Sequence, residues 1–117
     1  MRNNSVTIID KVTMAGTAVT TSTVVPLLNV YCYALQYIAA GSAAAGSVQI
    51  YGSCDEGLDE HGTGVSNWFT IDSATTISVI GSVLVNKDGV GYRWLKVTYT
   101  ANSGTGTMTV KINTKGN

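Results

Sequence analysis

Val30-Tyr31-Cys32-Tyr33-Ala34-Leu35-Gln36-Tyr37-Ile38 is the longest β-forming run in the chain. Tyrosine, valine and isoleucine fit the pleated surface of a strand. Strand side chains alternate between faces, so Tyr31, Tyr33, Leu35 and Tyr37 share one side and Cys32, Ala34 and Ile38 the other. Both sides are partly apolar, which predicts a central strand with Cys32 as a small core residue. Gly91 to Thr100 reads the same way, with Leu95, Val97 and Tyr99 on one face.

Outward from these two runs the pattern repeats at close spacing. Ser47 to Ser53 alternates, with Val48 and Ile50 inward; Thr107 to Ile112 alternates, with Met108, Val110 and Ile112 inward. Shorter strands are predicted at Ser5 to Asp10, Gly16 to Val25, Trp68 to Ile71, Thr75 to Ile80 and Val83 to Val85. Small-residue turns separate them, among them Asn86-Lys87-Asp88-Gly89 and Asn102-Ser103-Gly104. The Ala-rich piece Ala39 to Gly46 is expected to be a hairpin connection, and Thr114 to Asn117 a short tail. The expected fold is all-β, a jelly-roll-type sandwich of about eight antiparallel strands. Residues 1–26 have few large apolar side chains and are expected to be an extended N-terminal arm that pairs with a neighbour. Residues 27–117 would then form the sandwich.

The composition agrees. The chain has 117 residues, enough for one domain, with 44% hydrophobic and only 12% charged residues. Thr, Ser, Gly and Asn replace the missing charge, which suits hydroxylated strand faces better than helices. Seven basic residues balance seven acidic ones. Without a basic block, the long-range attraction needed for nucleic acid is absent. No run reaches the roughly 18 apolar residues of a membrane span, and the start lacks the apolar run of a signal peptide. The expectation is no nucleic-acid or membrane partner, with synthesis in the cytoplasm. Cys32 and Cys54 lack a CxxC spacing and are expected to stay unbridged, without zinc.

The candidate chemistry is thin. Asp55, Glu56, Asp59, Glu60 and His61 are the best set for a hard cation, but their spacing is not that of an EF-hand, so a solvated acidic loop is expected. As such a loop it should tolerate Asp59→Asn and Glu60→Gln within about 0.5 kcal/mol. Ser53 and Ser66 lie near His61 without a GxSxG elbow, so no catalytic residue is assigned. Gly62-Thr63-Gly64 and Gly104-Thr105-Gly106 are not followed by a helix or a Lys-Ser/Thr pair, so β-turns are expected there rather than phosphate loops. Tyr31, Tyr33, Tyr37, Tyr51, Tyr92, Tyr99, Trp68 and Trp94 could stack on a carbohydrate, but period-two aromatics point first to packing.

Several pieces resemble known proteins. Val48 to Gly57, followed by Asn67-Trp68, is similar to the strand, Ser-x-Asp-Gly and Asn-Trp unit of discoidin-like jelly rolls. Gly91-Tyr92-Arg93-Trp94-Leu95-Lys96-Val97-Thr98-Tyr99-Thr100, Ser103-Gly104-Thr105-Gly106-Thr107 and Asn113-Thr114-Lys115-Gly116 resemble, in that order, small structural proteins of tailed phages and related viruses. The resemblance covers roughly Tyr31 to Gly116 by residue pattern. The chain departs from the pattern at Cys54, where Asn is usual, and by an insertion from Leu58 to Ser66. The resemblance implies a non-enzymatic virion component without a cofactor, assembled in the host cytoplasm. It would decorate or cement a capsid, or form a small spike or fibre, as a homo-oligomer in contact with major capsid or other virion proteins. A glycan-binding sandwich module is the alternative it implies.

Overall fold

The structure, a computed structural model, describes residues 2–116, with side chains from residue 5 onward. Strands fill most of the chain: β1 (Arg2–Thr13), β2 (Val19–Thr21), β3 (Val25–Pro26), β4 (Val30–Ala43), β5 (Gly46–Ser53), β6 (Phe69–Ile77), β7 (Gly81–Lys87), β8 (Trp94–Ala101) and β9 (Thr105–Gly116). One sheet has the order β1-β9-β4-β7, the other β2-β8-β5-β6, and β3 also pairs with β8. All pairs are antiparallel. Taking β2 and β3 as one interrupted strand, the pairs β1·β9, β2/β3·β8, β4·β7 and β5·β6 form a long two-stranded ribbon. Rolled across two sheets, that ribbon is a jelly roll.

The alternation read from the sequence sets the core. Tyr33, Leu35 and Tyr37 on β4 and Met108, Val110 and Ile112 on β9 face Val48 and Ile50 on β5 and Leu95, Val97 and Tyr99 on β8. All are nearly inaccessible, with Leu95, Val97 and Val110 at 0% exposure. Burying a side chain of this size stabilises the fold by about 1.5–3 kcal/mol. Cys32 lies on the opposite face of β4 from Tyr33, so it is half-buried on the outside of the sheet and not in the core. Both cysteines are free.

Four further expectations are corrected. The described residues of the expected arm, 2–26, are part of the sandwich: β1 runs along β9 from Arg2↔Gly116 to Thr13↔Thr107, and Ile9 and Met14 join the core. Large apolar residues are few there because β1 is an edge strand that buries only part of one face. The segment from Ala39 to Gly46 is no hairpin, since β4 continues to Ala43 and the chain then crosses to the other sheet. The Tyr99 hydroxyl donates to Ala45 O at 2.7 Å and holds that crossing. Gly46 begins the new strand at φ 137°, where a Cβ would stand 2.6 Å from Thr100 O. The two strands predicted around Thr70 and Thr76 are one strand, β6, interrupted by a bulge at Asp72 (φ 60°) that breaks the alternation. Finally, residues 114–116 are strand, paired with β1 and with Val30 and Cys32–Tyr33 of β4.

Candidate functional site

The acidic residues, His61, Ser53, Ser66, Tyr51, Trp68 and Trp94 gather at one end of the β2-β8-β5-β6 sheet. At this end of β8 the outward positions are Trp94 and Lys96, which lie in register with Ser53 and Tyr51 of β5. The long connection from β5 to β6 folds over them. Its backbone is pinned by Leu58 N–H to Thr63 O at 2.7 Å and Val65 N–H to Gly62 O at 3.2 Å.

Glu56, Asp59, Glu60 and His61 are exposed, as a solvated loop would have them, while the Asp55 and Asp59 carboxylates also brace its turns. The Asp55 carboxylate accepts from Ser66 N–H at 3.0 Å, Asn67 N–H at 3.0 Å and the Asn67 side-chain amide at 3.1 Å. These donors hold its carboxyl below the usual carboxylate value, the Ser66 N–H first. Asp55 O also takes Trp94 Nε1–H at 2.8 Å. Asp59 accepts from the Thr63 hydroxyl at 2.7 Å and from His61 N–H and Thr63 N–H. Its carboxyl is likewise held low, by the Thr63 hydroxyl above all. Both carboxylates therefore complete turns by taking up backbone donors. His61 is exposed and stands 3.6 Å from Glu60. Ser53 is fully buried, and its Oγ accepts the Asp55 N–H at 3.2 Å. Ser66 contributes its N–H to Asp55, so the structure joins these serines to the clasp and not to His61.

The aromatic residues divide. Tyr33, Tyr37 and Tyr99 are core. Tyr33 and Tyr92 share a 2.6 Å hydroxyl contact, and burial raises the pKa of both. Trp94 is 2% exposed beneath the loop. Gly57 and Gly62 lie against its ring, and Gly62 adopts φ 77° where a Cβ would meet Val24 at 2.6 Å. Tyr51 and Trp68 stay at the surface and flank Lys96, whose ammonium lies 5.5 Å and 4.4 Å from their ring centroids. The exposed Arg93 guanidinium lies 5.4 Å from the Trp94 ring. The result is a small cationic and aromatic patch. Sequence reasoning placed Tyr51 and Trp68 but missed Lys96, because which outward residues meet depends on the register between β5 and β8.

Of the two glycine-threonine turns, Gly62 to Gly64 belongs to the loop, whereas Thr105 and Gly106 already lie within β9. On the outer face of the other sheet, Cys32, Asn86, Asp88, Asn113 and Lys115 line an open polar groove of about 490 Å³.

No protein-family model matches the chain, and no curated protein matches it. Among solved structures it is similar to the crystal structure of the SPBc2 prophage-derived protein YomS. The two share 17% sequence identity over 97% of this chain and 95% of that chain, with a TM-score of 0.48. At that identity and score the likeness is no guide to function.

Proposed function

We propose that this chain is a non-enzymatic structural protein of a virion. It decorates or cements a capsid, or forms a small spike or fibre domain, assembled in the host cytoplasm. It works through contacts with copies of itself and with other virion proteins. The observation that carries the reading is the surface: the adjoining Val79, Ile80, Val83 and Leu84 are 75, 40, 40 and 62% exposed on a chain with only 12% charge. Such a surface suits a protein covered by neighbours better than one dispersed alone. The ordered resemblance from Gly91 to Gly116 supports the same reading. The test is quantitative mass spectrometry of purified particles from the virus that encodes the chain. Many copies per particle indicate capsid decoration and a handful indicate a tail or vertex. Absence from the particles overturns the proposal.

One observation favours a second reading, a glycan-binding module. Half-buried Tyr51 and Trp68 lie beside Lys96, whose ammonium sits over their rings, and this aromatic and cationic group can pack on a sugar and donate to its hydroxyls. Glycan-array binding that disappears with Trp68→Ala would select this reading.

A further inference from the structure

A β-sandwich of two open sheets has four edges, and three of these are guarded. β1 carries two register shifts, the exposed charges of Asp10 and Lys11, and a positive φ of 48° at Lys11. β2 and β3 are three and two residues long, and Pro26 occupies the second. β6 is broken by its bulge and carries the exposed Asp72. Short strands, proline, bulges and charges are the usual devices against edge-to-edge pairing.

β7 has neither proline nor bulge. Its seven residues pair with β4 in unbroken register from Tyr33↔Lys87 to Ala39↔Gly81. Its one charge, Lys87, makes an ion pair with Asp72 and so is drawn toward β6. Val83 and Leu84 are 40 and 62% exposed, and the adjoining Val79 and Ile80 are 75 and 40% exposed. Behind them Tyr37, Ala39, Ile77, Val79 and Val83 help to wall a cavity of about 110 Å³. An apolar, unbroken free edge backed by a cavity is an interaction surface.

The geometry points to β7 as the seam of a symmetric dimer: two copies pair their β7 strands antiparallel about Leu84 and join their β1-β9-β4-β7 sheets into one. Charge decides for a second copy. The stretch Ser82 to Asn86 is neutral, so pairing with itself sets no like charges opposite one another, and Lys87 falls across from Gly81. The twofold arrangement is closed, so it yields a dimer and not a fibre. This seam gives the self-contact of the proposed virion role a surface, and it rests on that reading for its purpose alone.

Sedimentation equilibrium of the full chain tests it without any particle, so its failure is distinct from absence from virions. The wild-type chain should dimerise at micromolar concentrations. Leu84→Lys sets two lysines across the axis and should weaken the dimer by roughly tenfold or more, while Thr7→Lys on the guarded β1 edge should leave it unchanged. Hydrogen exchange on the wild-type chain is the second measurement: the outward amides of β7 should be protected in concentrated solution and exchange on dilution. A wild-type monomer throughout, an undiminished Leu84→Lys dimer, or β7 exchange independent of concentration overturns the proposal.

Discussion

Leu95 sits on a central strand at 0% exposure, with Val97 two residues on and Val110 and Ile112 in the same core cluster from the opposite sheet. Truncation to alanine removes buried methyl groups and leaves a cavity that a rigid two-sheet core closes poorly. Leu95→Ala should therefore cost about 2–5 kcal/mol, read as a lower urea midpoint with an unchanged slope. Tyr37 makes a subtler case. It is 1% exposed, and its hydroxyl has no hydrogen-bond partner among the described residues. Burial pushes its pKa from 10.0 up to about 12. A group whose folded pKa is raised stabilises the fold fully below its unfolded pKa and loses that contribution as pH rises. Stability should thus fall between about pH 10 and pH 12. Tyr37→Phe removes an unsatisfied buried group, so it should be neutral or stabilise by up to about 1 kcal/mol and make that alkaline decline shallower. Thermal melts across this range check both points. A steeper alkaline decline in the variant would contradict them.

At the scale of elements, the loop from Cys54 to Trp68 is closed by one residue. Asp55 accepts from Ser66 and Asn67 with its carboxylate, while its carbonyl holds Trp94. Its folded pKa is lowered, so its contribution is present above the ordinary value of 3.8 and is lost as pH falls through the folded pKa. In a Trp68→Phe background, Trp94 fluorescence should accordingly stay constant above pH 3.8 and report opening as pH falls below it. Asp55→Ala should show the open signal already at neutral pH, and a variant with wild-type emission would refute the clasp. None of this was legible beforehand, because an acidic cluster looks the same in sequence whether its oxygens face water or backbone N–H groups. What was legible was periodic. Alternation identified the inward residues of β5, β8 and β9 since each strand buries one face. It failed where the period breaks, at the Asp72 bulge in β6, and where small residues read as a turn, at Ala39 to Ala43. It also could not assign partners. β1 and β9 look like any two alternating strands, and nothing local says that one closes on the other across the whole chain.

That closure governs the molecule as a whole. Arg2 lies opposite Gly116 in the β1·β9 pair, so the first and last strands meet only after the full chain has been brought together. Closing so long a loop carries an entropic cost before any contact rewards it, and chains dominated by such pairings fold slowly. The same geometry sets the described ends side by side. A linker of about five Gly or Ser residues joining the described ends, Arg2 and Gly116, would turn β1 and β9 into consecutive strands. New ends can be opened at Asp88-Gly89, an exposed turn between β7 and β8. The permutant keeps every strand pair but makes the β9·β1 contact local, while the β4·β7 pair stays within the chain. It should fold to the same sandwich and refold faster in stopped-flow measurements. Deleting residues 2–13 instead removes β1 with the buried Ile9 and uncovers one side of β9, so that protein should not fold cooperatively. The two outcomes together discriminate. If the deletion left a stable monomer and the permutant refolded no faster, the N-terminal strand would be a dispensable arm after all, and the closure of β1 on β9 would not be the step that completes the fold.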